Sequence, residues 1–162
     1  MAKAAKAVPE GYHTITPQLT LDNAAQIIDW YKKALGAEEL SRSPGPDGKI
    51  MHAEIRIGNS RVMLNDVMQG QKGPKALGGS PASLWLYVDD SDALFARAVA
   101  AGAKVQMELA NQFWGDRGGA VADPAGYTWW ISTRKEDVTT AEMQQRAADF
   151  FKSMAQPAAS RK

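Results

Sequence analysis

The sequence predicts an α+β fold: two βαβββ modules pairing into a curved mixed sheet around a cleft, followed by a C-terminal helix. Three observations carry the prediction. The order strand, helix and three strands is written twice along the chain. Two dipeptides recur at one spacing: Leu21-Asp22 before the first helix matches Val88-Asp89 before the second, and Gly58-Asn59 before one last strand matches Ala125-Gly126 before the other, both 67 positions apart (21 to 88, 58 to 125). Such a period marks a repeated unit that buries its apolar face against its twin. The stretch Asn111 to Ile131, NQFWGDRGGAVADPAGYTWWI, reads as loop, strand, tight turn and strand, and holds three of the chain's five tryptophans.

Each element follows from local chemistry. Residues 1–10 read as a disordered tail, and module one as residues 11–66. His13 to Leu21 has strand content with two unlike faces, Pro17 placing it at an edge or a bulge. Asp22 or Asn23 can cap a helix that runs to Leu35, with Ala24, Ile27, Ile28, Tyr31 and Leu35 at helical spacing and Gly36 as its stop. Ala37 to Ser43 is a strand, and Pro44 to Gly48 a turn. Ile50 to Ile57 alternates, Met51, Ala53, Ile55 and Ile57 opposing His52, Glu54 and Arg56. Gly58-Asn59 is a hairpin signal, and Ser60 to Asp66 completes the module. Residues 67–81 read as a mobile linker. Module two, residues 82–134, repeats the order: a strand from Ala82, a helix capped by Asp89, Asp90 or Ser91 and ended by Gly102, a strand from Lys104 to Leu109, then a hairpin. Its strands are Gly119 to Asp123 and Tyr127 to Ser132, joined by the turn Asp123-Pro124-Ala125-Gly126. Residues 137–154 read as a separate helix with Glu142 at capping-box spacing from Thr139 and an apolar stripe of Met143, Ala147, Phe150, Phe151 and Met154. Residues 155–162 read as a second disordered tail.

Composition narrows the function classes. With net charge +1 and no block of like charge, a nucleic-acid partner is not expected. The absence of cysteine excludes disulfides, thiolate metal sites and cysteine nucleophiles, and suits a cytoplasmic setting. No apolar run approaches the ~20 residues of a membrane span, and the N-terminus lacks a signal-peptide core, so no membrane partner is expected.

Four motifs, Ile28-Asp29-Trp30-Tyr31-Lys32-Lys33-Ala34-Leu35-Gly36, Tyr87-Val88-Asp89-Asp90, Gly115-Asp116-Arg117 and Asp123-Pro124-Ala125-Gly126-Tyr127, resemble those of the vicinal oxygen chelate superfamily. That superfamily includes glyoxalase I, bleomycin-resistance and fosfomycin-resistance proteins and extradiol dioxygenases. The FWGDR and DPxG pair, with the polar start TPQLT, is similar to its PhnB-like subgroup. The resemblance spans residues 12–134. It implies a small-molecule site in the cleft, often a homodimer, and, in the metal-dependent members, a His, Glu or Gln ligand on the first and last strand of each module. Counted from the helix and turn motifs, those positions are Thr16 and Met63 in module one and Ser83 and Trp130 in module two. None is a good ligand for a hard or borderline divalent ion, so no metal or other cofactor is expected at these positions.

The cleft lining expected instead is Thr16, Gln18, Met63, Asn65, Ser83, Trp85 and Trp130, with Trp114 and Arg117 from the loop before the last hairpin. This is a neutral, aromatic-rich surface suited to a planar or amphipathic small molecule. Arg117 can meet an anionic group, or pair with Asp116 or Asp123. His52 and Glu54, two residues apart on one strand, share a face and are the candidate catalytic pair, a general base with its orienting acid. The plainer reading is a polar pair on a partly wet sheet face. With Gln18 they would be the remaining place for a divalent metal. His13 reads as a surface residue. The function expected is metal-free binding of an aromatic or amphipathic molecule; the alternative is a glyoxalase-like lyase or isomerase using His52 and Glu54. The C-terminal helix is expected to serve a homodimer.

Overall fold

The computed structural model describes residues 6–45 and 47–155. Module one runs β1 (Gln18–Leu21), α1 (Ala24–Leu35), β2 (Glu38–Pro44), β3 (Ile50–Ile57) and β4 (Ser60–Asp66). A short helix, α2 (Pro74–Leu77), precedes β5 (Ser83–Tyr87), α3 (Ser91–Ala100), β6 (Lys104–Asn111), β7 (Asp116–Ala122) and β8 (Thr128–Arg134), and α4 (Thr140–Ala155) ends the described chain. The strands form two mixed four-stranded sheets, ordered β1-β4-β3-β2 and β5-β8-β7-β6. In each the first strand lies parallel to the last and the other neighbours are antiparallel. This is the expected α+β architecture. The two sheets are separate ladders; helix packing and side-chain bonds join them.

The twin register holds at atomic level. Gln18 pairs with Met63 across β1 and β4, as Trp85 pairs with Trp130 across β5 and β8. The Asp66 carboxylate accepts the Ala24 N–H at 2.7 Å, and the Thr133 hydroxyl accepts the Ser91 N–H at 2.8 Å. These acceptors at the end of the last strand satisfy the first free N–H of each helix. Asn23 does not cap α1 with its side chain, which bonds Gln26 instead; Asp90 does cap α3, accepting from Ala93 at 2.9 Å.

Helices α1 and α3 pack on one another and on the inner faces of both sheets, forming a single core that includes Leu21, Ile28, Tyr31, Ile55, Leu64, Leu94, Phe95, Val121, Trp129 and Ile131. Each fully buried aliphatic side chain of this kind stabilises by roughly 1.5–3 kcal/mol. Between the helices, Trp30 Nε1 donates to the Ala101 carbonyl at 2.8 Å and Arg97 Nε to the Ala34 carbonyl at 2.9 Å. The motif residues meet at a joint between the modules. Asp123 Oδ1 accepts the N–H groups of Ala125, Gly126 and Tyr127, shaping the turn, while its Oδ2 accepts Tyr31 Oη at 2.7 Å and Trp129 Nε1 at 2.8 Å. Burial, and then the Asp123 charge, push the Tyr31 phenol well above its ordinary range. Tyr127 reaches back to the edge of β1, accepting from Thr20 N and donating to Thr20 O.

Several boundaries differ from expectation for physical reasons. Only residues 18–21 of the first predicted strand pair; Pro17 lacks the N–H to continue the ladder. Met51 is 51% exposed, because the β2–β3 register slips between Ser43 and Pro44 and Ile50 takes the inward place. The 67–81 linker contains α2, with Pro74 in the first turn and Gly78 closing it at φ 78°. Strand β7 begins at Asp116, three residues before the predicted start at Gly119. Gly118 and Gly119 lie inside it because a Cβ would fall 2.3 Å from Ser132 Oγ at the first and 2.8 Å from the Met107 carbonyl at the second. The predicted tails fall mostly on residues 1–5 and 156–162, outside the described residues. No helix among the described residues is long and apolar enough to cross a membrane.

Candidate ligand cleft

Because each sheet gives one face to the helices, the other carries every alternate side chain outward. The outer face of sheet one is polar. Gln18, Met63 and Glu54 lie in one cross-strand row, and Asn65 and His52 each stand two residues along their own strands from it. His52 Nε2 is 3.2 Å from Glu54 Oε1, and Arg61 Nη1 donates to Glu54 Oε2 at 2.9 Å. The Arg61 guanidinium also stacks over the Tyr12 ring, 4.5 Å from its centroid. The Tyr12 phenol, then the His52 and Arg61 donors, hold the Glu54 carboxyl below the usual range against the effect of partial burial. Gln18 Nε2 donates to Asn65 Oδ1, and Asn65 Nδ2 to Gln71 Oε1, both at 2.9 Å, so this amide chain ties residues 67–71 to the sheet.

The outer face of sheet two is aromatic. Trp85 and Trp130, cross-strand neighbours, stack in parallel with centroids 4.6 Å apart and planes 6° from one another. Trp114 lies 6.2 Å from both, and Tyr87 6.2 Å from Trp85. Beneath them is Asp116, 1% exposed, whose Oδ2 accepts Tyr87 Oη and Trp114 Nε1, each at 3.0 Å. Burial first, then the Asp116 hydrogen bond, raise the Tyr87 phenol. Trp85 stays 42% and Tyr87 60% exposed, a large apolar surface left to solvent in the single chain.

Two hollows meet at Trp85. The larger, about 530 Å³, runs between the sheet edges and is lined by Thr16, Gln18, Arg61, Ser83, Trp85 and Tyr127 among others. The second, about 490 Å³, lies on the aromatic face between Trp85, Tyr87 and Trp114. Of the residues expected at the cleft, Thr16, Gln18, Ser83 and Trp85 thus share one hollow and Trp85 and Trp114 the other; Trp130 lines neither and stacks on Trp85. Met63 and Asn65 stand on the polar face with His52 and Glu54. Arg117 does not join them: it points to the helix side of β7 and makes a bidentate pair with Asp92, both bonds at 2.6 Å. The cause is the earlier start of β7, which puts Arg117 on the parity of buried Val121 rather than in a loop. Its expected alternatives, Asp116 and Asp123, are occupied by Tyr87 and Trp114, and by Tyr31 and Trp129.

Sequence reasoning did not single out Tyr87, Asp116, Arg61 or Tyr12 for the site. Tyr87 was readable, two residues after Trp85 on the same strand. Asp116 was not, because its placement depends on where β7 begins. The metal positions implied by the resemblance carry a hydroxyl, a thioether, a hydroxyl and an indole at Thr16, Met63, Ser83 and Trp130, a donor set that does not fit a divalent cation. Among the described residues no three His, Cys, Asp or Glu side chains come together in a metal-binding arrangement.

Comparison with known proteins places this geometry. The sequence model of the Glyoxalase/Bleomycin resistance protein/Dioxygenase superfamily matches residues 12–131. An uncharacterised protein of Mycobacterium bovis is 48% identical over 135 residues, 80% of this chain and 89% of the relative. The crystal structure of TioX from Micromonospora sp. ML1 superposes with a TM-score of 0.61 at 27% identity, covering 78% of this chain and all of that one (100%). At the level of fold alone, a PhnB protein from Bacillus cereus, described as a possible 3-demethylubiquinone-9 3-methyltransferase, matches at TM-score 0.58 and 16% identity over 75% of this chain and 99% of its own.

Proposed function

The chain belongs to the Glyoxalase/Bleomycin resistance protein/Dioxygenase superfamily, and we propose that within it this protein binds a planar, amphipathic small molecule in a metal-free cleft. The carrying observation is the exposed Trp85–Trp130 stack walled by Trp114, which offers π-faces to a flat ligand. The FWGDR and DPxG motifs support a place near the PhnB-like members. The reading includes a homodimer, whose second copy covers the exposed Phe151 and Met154 of the C-terminal helix, and a cytoplasmic setting, in keeping with a chain free of cysteine.

The His52–Glu54 contact favours a second reading, a lyase or isomerase using these two residues. It ranks lower because neither His52 nor Glu54 lines either hollow, and Glu54 is also engaged by Arg61 at 2.9 Å.

Ligand-observed NMR against planar aromatic compounds tests the first reading. Binding should be seen with wild type and weakened at least ~10-fold in Trp130→Ala, with stability lowered by no more than about 2 kcal/mol. Unfolding of Trp130→Ala, or a divalent ion retained stoichiometrically after incubation with zinc, nickel, manganese or iron(II) and desalting, would overturn it.

A further inference from the structure

Beneath the aromatic wall lies a polar group that the cleft reading leaves unused. Asp116 is 1% exposed, and its Oδ1 has no hydrogen-bond partner. In the adjacent cross-strand row, Ser132 is fully buried and its Oγ is likewise unpartnered. Arg134 stands opposite Asp116 across the β7–β8 ladder and feels its charge but bonds Asp137 instead, at 2.8 Å, so among the described residues no cation makes a direct ion pair with the carboxylate. A buried carboxylate oxygen without a donor is costly, and a native fold seldom keeps one without a use.

Tyr87 is one of two side chains that meet this carboxylate. Tyr87 belongs to β5 and Asp116 to β7, with β8 between them. The Tyr87 ring therefore crosses β8, over its register partner Ser132, to bring Oη to Asp116. That ring is 60% exposed and is held at its tip by a single hydrogen bond, whereas Trp114 Nε1 holds the same carboxylate oxygen from the other side. The hollow between Trp85, Tyr87 and Trp114 lies against this ring.

We propose that Asp116 is the recognition group for a protonated amine carried by the planar ligand, and that Tyr87 Oη is a placeholder the amine displaces. The carboxylate meets the ammonium, Ser132 Oγ takes a further N–H, and Trp85 and Trp114 supply the π-faces that favour a cation beside them. The proposal rests on the cleft reading above and adds charge selectivity to it.

Two probes of matched shape test it: 1-naphthylmethylamine, protonated at pH 7, and neutral 1-naphthylmethanol, each titrated by calorimetry. Wild type should prefer the amine by at least ~10-fold. Asp116→Asn should bring that ratio close to one. Tyr87→Phe, which removes the competing donor and keeps the ring, should raise amine affinity a few-fold. Equal binding of both probes by wild type overturns the assignment while leaving the cleft reading standing. Binding of neither overturns both. Should Asp116→Asn fail to fold, the wild-type ratio and Tyr87→Phe still decide, since an Asp116 that merely held Tyr87 and Trp114 in place would give no preference in the first and no gain in the second.

Discussion

The two modules share a backbone and differ in what they do with its outer face. Gln18, Met63 and Asn65 of sheet one stand where Trp85, Trp130 and Ser132 stand in sheet two. In the neighbouring strand, Glu54 faces Met63 as Ala120 faces Trp130, and His52 takes the place of Gly118. Where the central strand carries long polar groups, the face fills with amide and ion-pair bonds. Where it carries Gly and Ala, the face holds indoles stacked on one another. A duplicated scaffold thus holds one polar and one aromatic wall, and the helix-facing halves, which must pack, stay apolar in both.

The sharpest test of this division is the pair Trp129 and Trp130, adjacent in sequence and on opposite faces of β8. Trp129 is 1% exposed, meets Tyr31 edge-on at 5.4 Å and donates to Asp123. Trp129→Ala should cost about 3–5 kcal/mol by urea unfolding, against the far smaller cost expected at Trp130. Equal losses at the two positions would mean that the aromatic face is core and not a wall.

The twin caps give a second, smaller contrast. Asp66 serves two buried N–H groups, Ala24 and Ile50, each at 2.7 Å, and is charged; Thr133 serves one, Ser91, and donates to the Val88 carbonyl. Asp66→Ala should cost about 3 kcal/mol and Thr133→Ala about 1–2 kcal/mol in the same assay. A reversed order would show that the second module depends more on its cap than on its core.

How much of this was legible in the sequence follows from what each feature depends on. The repeat, both main helices and the order of the strands could be read because periodicity and turn residues are local. The 67-residue spacing (16 to 83, 63 to 130) matched Thr16 with Ser83 and Met63 with Trp130 without any structure, and Met63 and Trp130 do hold equivalent places on the last strands. Asp116 and Arg117 could not be assigned. Gly118-Gly119 looks like a strand start in sequence, yet both glycines are there because Ser132 on one side and Met107 with Phe95 on the other leave no room for a Cβ. That is a tertiary fact, and it moves Arg117 to the opposite face. The likeness carried by Tyr31 and the DPAG turn was recognisable as a motif, but its reason, a shared Asp123 at the joint between modules, appears only when the two are in contact.

The polar wall yields the smallest expected effect. Glu54 is 13% exposed at its side chain, and Tyr12, His52 and Arg61 hold its carboxyl below the ordinary range. A depressed folded-state value means the carboxylate binds protons less readily in the native state than in the unfolded one. Its contribution is therefore complete above the unfolded Glu value of about 4.3 and lost as pH falls through the lower folded value. Wild type should exceed Glu54→Gln in stability at pH 6 by less than ~1 kcal/mol, as expected of a partly solvated pair, and the difference should shrink toward zero by pH 3. Urea midpoints of both proteins across that range check the sign. A difference that stayed constant with pH would assign the stabilisation to packing and shape at residue 54 and remove the charge network as the organising feature of the polar wall.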